Sequence, residues 1–292
     1  MIAVRLMGGL GNQMFQYAAG RALAARTGGE LVFDLSALRA DPRRGYALGP
    51  YPVRGREAAP GELERFPPRP PARGRAWALA ARLRAALAPR GAGPVRFDEP
   101  HFHYAPAFAA LAGDVYLDGY WQSARYFAPV AEAVRAELTL PALSPAAAEL
   151  AARIAAGPSV GLHVRRGDYV SDPRIARTHG ALPPDYHRRA LALAAEGLGR
   201  PEVFVFTDDP GWVATGLDLG APFTLVRGLS AHEDLHLLSL CRGRAIANSS
   251  FSWWAAWLGG PGRVVAPARW FGPERMRTRR LDDLCPPGWV RT

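Results

Sequence analysis

Val160, Leu162 and Val164 alternate with Gly161, His163 and Arg165, a strand rhythm that Gly167 breaks into a loop. Downstream the rhythm is regular. Strands are predicted at about 159–165, 202–207, 223–227, 244–248 and 263–266, and helical spacing recurs at about 184–197, 210–218, 230–242 and 251–258. Val203, Phe204, Val205 and Phe206 are apolar at every position, as parallel strands covered on both faces are. This alternation of strand and helix predicts a doubly wound α/β domain, whose ligands bind at the carboxyl ends of the strands.

The amino-terminal part opens in a similar way. Ile2, Val4 and Leu6 predict a strand, Gly8-Gly9-Leu10-Gly11 a tight turn, Asn12 to about Arg26 a helix, and Leu31–Asp34 a second strand. From about 42 to 94 the pattern decays into Pro, Arg, Gly and Ala, with one imperfect helical stripe at about Arg75–Ala88, read as a solvated face rather than a membrane-surface helix. A strand at Val115–Leu117 and a helix at about Tyr126–Leu138 follow. The segment Pro141–Pro145 marks a boundary between domains 1–145 and 146–292.

Composition changes this picture in two ways. The chain has 292 residues, 49% apolar, and a net charge of +10 that would ordinarily suggest nucleic acid or an anionic membrane. All 36 basic residues are arginine, beside abundant Ala, Gly and Pro, so basicity reads partly as a by-product of codon bias. The same bias makes amides rare: only Asn12, Asn248, Gln13, Gln16 and Gln122 occur, all within the stretches that carry candidate chemistry. No apolar run has the length of a membrane span and no signal segment opens the chain, so a cytoplasmic location is expected. Cys241 and Cys285 set neither a disulfide framework nor a metal cluster.

Candidate chemistry clusters at the strand ends. The first predicted strand of the second domain delivers His163, Arg165, Arg166 and Asp168 to a sheet edge, where two guanidiniums suit a diphosphate. An Arg–Asp pair closing a turn is the equal alternative. The glycine turn before the first helix favours an anion or a sugar oxygen. A dinucleotide reading would use Asp34 for a ribose, but Met14 stands where the third glycine belongs. In Asn248–Leu258, Ser249 and Ser250 can cap a helix or cradle a phosphate, while Trp253, Trp254 and Trp257 read as core. Ser230 and Glu233 form a capping box that overlaps a His232-Glu233-x-x-His236 zinc signature. Asp208-Asp209 before Pro210 reads as a helix cap, and no Asp-x-Asp occurs to bridge a nucleotide through a metal.

Together, Gly8–Ala18, Asp118–Ser123, His163–Tyr169, Phe206–Asp209 and Asn248–Leu258 resemble, in order, the bacterial α-1,2-fucosyltransferases, inverting and metal-independent enzymes of glycosyltransferase family 11. The resemblance implies two facing Rossmann-like domains of the GT-B kind, an acceptor-side domain at 1–145 and a GDP-sugar-binding domain at 146–292. It implies GDP-fucose as donor, no cofactor or metal, and transfer to the 2-hydroxyl of a galactose-terminated oligosaccharide or lipid-linked glycan. Arg165 would contact the diphosphate with Arg166 in support, and Ser249, Ser250 and the Phe251 amide would complete the cradle. His163 and Asp234 match guanine-binding positions, and Asn12, beside Gly11, would reach the donor from the other domain. Asp168 is the candidate base for the acceptor hydroxyl, with a role in orienting Arg166 as the alternative. Peripheral contact with the inner face of a membrane is compatible with such an acceptor. Two readings from other classes stand beside it, a zinc protease through residues 232–236 and an arginine-rich nucleic-acid binder.

Overall fold

A computed structural model describes residues 1–69 and 93–292, so the helix expected at Arg75–Ala88 lies outside the described residues. The chain divides into two compact units, Met1–Leu138 with Leu281–Leu284, and Thr139–Arg280 with Cys285–Thr292. Each is an open α/β sheet.

In the first unit, β1 (Ile2–Arg5), β2 (Leu31–Asp34), β3 (Arg56–Glu57), β4 (Val95–Asp98) and β5 (Val115–Asp118) pair in the order β3-β2-β1-β5-β4, all parallel. The crossover helix Leu10–Thr27 lies so close to the sheet that a Cβ on Gly20 would sit 2.3 Å from a Val4 methyl. It ends on Gly28 in the left-handed region, the usual glycine stop. The helix expected from Tyr126 to Leu138 is instead two 3-10 turns, Ala124–Tyr126 and Ala128–Val130, and then a short α-helix at Ala131–Glu137. Pro129 lacks the N–H a continuous helix would need there.

In the second unit, β6 (Ser159–Val164), β7 (Glu202–Thr207), β8 (Thr224–Leu225), β9 (Gly243–Ala245), β10 (Val264–Ala266) and β11 (Val290–Arg291) pair in the order β11-β10-β9-β6-β7-β8, again all parallel. One face of β6 carries Val160, Leu162 and Val164 into a core with Tyr186, Ala190, Leu191 and Ala194 of the helix Pro184–Ala195. The other face meets the helix Ala231–Leu240, where a Cβ on Gly161 would lie 2.5 Å from a Leu238 methyl. Trp253 and Trp254 of the helix Ser250–Leu258 are fully buried and Trp257 nearly so, as core anchors should be.

Both sheets change winding direction at their first strand in chain order, β1 and β6. From β1 the chain builds outward through β2 and β3, then crosses to the other edge as β4 and comes back beside β1 as β5. From β6 it builds through β7 and β8, then returns as β9, β10 and β11. Crevices therefore open beyond the carboxyl ends of β1 and β5, and of β6 and β9.

Candidate active site

The β6/β9 switch gathers the residues singled out in this unit. β6 ends at Val164, so Arg165 and Arg166 emerge at the crevice, and Gly167 starts the short helix Gly167–Ser171. On the other side β9 leads through Ile246, Ala247 and Asn248 into the helix Ser250–Leu258. Asn248 is buried, and its amide donates to the carbonyls of His179, Gly180 and Trp270, which fixes the turn. Its own carbonyl accepts from Tyr169 at 3.0 Å, tying the two sides of the crevice together.

Ser249 is the N-cap of its helix, yet its hydroxyl makes no capping bond. The opening N–H groups of that helix have no intrahelical acceptors, and they carry the positive end of the helix dipole. Ser230 behaves in the opposite way. It caps the helix Ala231–Leu240 with Glu233 in a reciprocal box, and Glu233 also accepts from the Ser144 amide at 2.9 Å. Bonds from Ser144 and Ser230 hold that carboxyl well below the ordinary range. Glu233 is thus a cap partner, and among the described residues no group of three or more His, Cys, Asp or Glu is arranged to hold a metal ion.

Arg165 lies between two carboxylates. It donates to Asp168 at 2.5 Å and pairs with Asp208 at 2.9 Å, while its guanidinium sits 5.2 Å from the Tyr169 ring centre. Arg166 pairs with Asp209 at 3.1 Å and stacks 3.9 Å over Trp212. Against the alternative in which Asp168 orients Arg166, the structure shows Asp168 on Arg165 and Asp209 on Arg166. Asp209 also caps the helix Pro210–Gly216 as expected, but Asp208 does not cap. It accepts from the Arg166 backbone at 2.8 Å and braces Arg165, and a Cβ on Gly167 would come within 2.4 Å of it. The Asp208 contact was hidden in sequence because it crosses from β7 to β6.

His163 follows Gly161 on the helix-facing side of β6, and its ring lies 5.1 Å from that of Phe251. Burial, then Arg165 nearby, pushes its imidazole down to about 3, so the ring is neutral. Asp234 is one turn before Leu238, towards the crevice end of that helix. Burial, then Glu233, pushes its carboxyl up to about 7. His163 Nδ1 and one Asp234 oxygen are buried without a hydrogen-bond partner among the described residues, a costly arrangement unless a ligand supplies one.

In the first unit, Gly8 has φ 77° at the crevice of β1 and β5. Asn12 accepts from the Gln122 amide at 2.9 Å, while Gly11 is buried within the first helical turn. Gln13 bonds to Gly8, Gly45 and Ala47, and Gln16 bonds to both backbone groups of Met7. These two rare amides are internal brackets. Asp34 is occupied too, accepting from the Tyr116 hydroxyl and the Ser36 amide, which leaves a ribose no free carboxylate there.

The model of glycosyl transferase family 11 matches residues 108–292. An α-1,2-colitosyltransferase of Escherichia coli is 30% identical, the match covering 100% of this chain and 98% of the relative. The O-antigen biosynthesis glycosyltransferase WbnK of Escherichia coli is 35% identical over 130 residues, 43% of each chain. Among solved structures, the fucosyltransferase NodZ from Bradyrhizobium superposes with a TM-score of 0.47 at 18% identity, covering 88% of this chain and 92% of NodZ. The chain belongs to glycosyl transferase family 11 and is a glycosyltransferase.

Proposed function

We propose that this glycosyltransferase moves L-fucose from GDP-fucose to the 2-hydroxyl of a galactose-terminated glycan, with inversion at the anomeric carbon. The observation that carries the reading is the pairing of two complementary features in one crevice. Arg165 and the uncapped start of the helix Ser250–Leu258 suit a diphosphate, and the buried, unpartnered His163 and Asp234 suit a hydrogen-bonding base such as guanine. Ser249, Ser250 and the Phe251 amide complete the cradle, and Arg166 supports it.

In this mechanism the acceptor oxygen bonds to the anomeric carbon as the bond to the diphosphate breaks. The acceptor proton passes to Asp168. Arg165 and the helix amides stabilise the charge that grows on departing GDP, a role that preorganised donors fill without a metal. A diphosphate reaching Arg165 competes with Asp168 and Asp208, so donor binding also releases the carboxylate that serves as base.

A second donor follows from the relative that matches along the whole chain, an α-1,2-colitosyltransferase. Colitose is the 3-deoxy counterpart of L-fucose, and the same crevice would hold GDP-colitose. The test is GDP release from each donor across a panel of galactosides, with the linkage and anomeric configuration of the product determined by NMR and the assay repeated in excess chelator. The expected result is β-linked donor yielding an α-1,2 product at undiminished rate in chelator. Turnover confined to GDP-colitose moves the proposal to the second donor, and loss of activity with a stoichiometric metal overturns the metal-free mechanism.

A further inference from the structure

Many arginines described outside the crevice have carboxylate partners. Arg21 pairs with Glu137, Arg56 with Glu30 and Glu62, Arg153 with Glu202 and Arg263 with Glu196. Two adjoining segments carry several arginines without such partners. The short helix Pro173–Thr178 carries Arg174 and Arg177, and the segment 269–280 carries Arg269, Arg275, Arg277, Arg279 and Arg280. The two segments are joined: the Gly272 amide donates to the Thr178 carbonyl at 2.8 Å, and a Cβ on Gly272 would lie 2.2 Å from the Arg177 carbonyl. Across 172–180 and 268–280 only Asp172 and Glu274 are acidic, so seven arginines against two acids leave +5 of the chain's +10.

Arg174, Arg177, Arg269, Arg275 and Arg277 are all exposed and form no ion pair among the described residues. Codon bias accounts for arginine in place of lysine, but not for gathering five unpaired arginines on two adjoining segments. His179, on the link between the segments, registers that charge, since burial, then Arg275, pushes its imidazole down to about 4.

We propose that this arginine surface docks the enzyme on an anionic lipid bilayer. Guanidiniums match lipid phosphates with two parallel hydrogen bonds each, and several together bring a protein to an anionic surface without insertion. Among the described residues no helix is long and apolar enough to cross a membrane, and the proposed contact is a peripheral one. The patch lacks what a nucleic-acid surface would add, because its aromatic residues Trp270 and Phe271 are buried and cannot stack on bases. It has an apolar contribution instead: Val170, 52% exposed, projects from the helix Gly167–Ser171, which packs against Pro173–Thr178. The inference does not depend on which sugar is transferred.

The test is cosedimentation of the full chain with phosphatidylcholine vesicles, with and without phosphatidylglycerol, at rising salt. Wild type is expected to bind only the anionic vesicles and to be released by salt. Each arginine at such a surface contributes about fivefold in partitioning, so Arg174→Glu, Arg177→Glu and Arg277→Glu together should lower binding at least about 100-fold. Turnover of a soluble acceptor and the thermal melt should not change. The milder pair Arg177→Gln and Arg277→Gln, with an intermediate loss, guards against misfolding of the triple variant. Binding that is equal in wild type and variants, no binding to anionic vesicles, or tighter binding to RNA at matched phosphate concentration would each overturn the proposal.

Discussion

Arg165 is the residue on which the chemistry and the structure pull in different directions. Its guanidinium is held by Asp168 and Asp208, each about a quarter exposed, and the diphosphate that it is proposed to bind must compete with both. Removing the Asp168 charge therefore has opposite effects on the two steps. Asp168→Asn should lower transfer about 10²–10⁴-fold through loss of the base, while GDP affinity holds or rises as Arg165 loses a competitor. Calorimetric titration of GDP into the variant, beside transfer kinetics, checks this, and GDP affinity falling in step with turnover would leave Asp168 a structural brace. At this scale the sequence was a partial guide. It marked Arg165, Arg166 and Asp168 by their place after a strand, but pairing between neighbouring strands leaves no local trace, so Asp208 looked like a second cap. Depletion of amides pointed to Asn248, Gln13 and Gln16 as unusual positions, and their side-chain bonds go to backbone groups and hold turns.

Two helices aimed at the same crevice differ in how their first turns are satisfied. Ser230 closes a capping box, whereas Ser249 leaves its helix start open. Ser230→Ala should therefore cost about 1 kcal/mol of stability with GDP affinity little changed. Ser249→Ala should cost less than about 0.5 kcal/mol and weaken GDP by about 10- to 150-fold, the worth of one hydrogen bond to a charged group. Urea melts and GDP titrations of the two variants provide the comparison, and a Ser249 variant that loses stability without losing affinity would make that serine an ordinary cap. The strands of the second unit were legible because burial on both faces makes them continuous apolar runs, and β7 falls at Glu202–Thr207 as expected. β3 and β11 are two residues each, too short for any periodicity. The helix Pro145–Ala155 was passed over because Pro145 read as a break, although proline suits the first helical position and Ser144 caps it.

Neither unit is one continuous stretch of chain. After β10 the chain leaves the second unit, contributes Leu281–Leu284 to the first, and returns to add β11 at the sheet edge. The excursion is packed, with Leu284 2% exposed and Asp283 accepting from the Tyr104 amide at 2.8 Å. Leu284→Ala should thus destabilise the first unit by about 2–5 kcal/mol, seen in chemical denaturation as an earlier transition, with GDP affinity in the second unit retained. A variant as stable as wild type would mean that the excursion contributes no core. The order of synthesis makes this excursion a constraint on biogenesis. Domains of nascent chains usually fold in sequence, amino-terminal first, but here the first unit waits for four residues made after β6 to β10. Until they emerge, its apolar seat for Leu281 and Leu284 has no occupant and stays open to solvent while the second unit is being made.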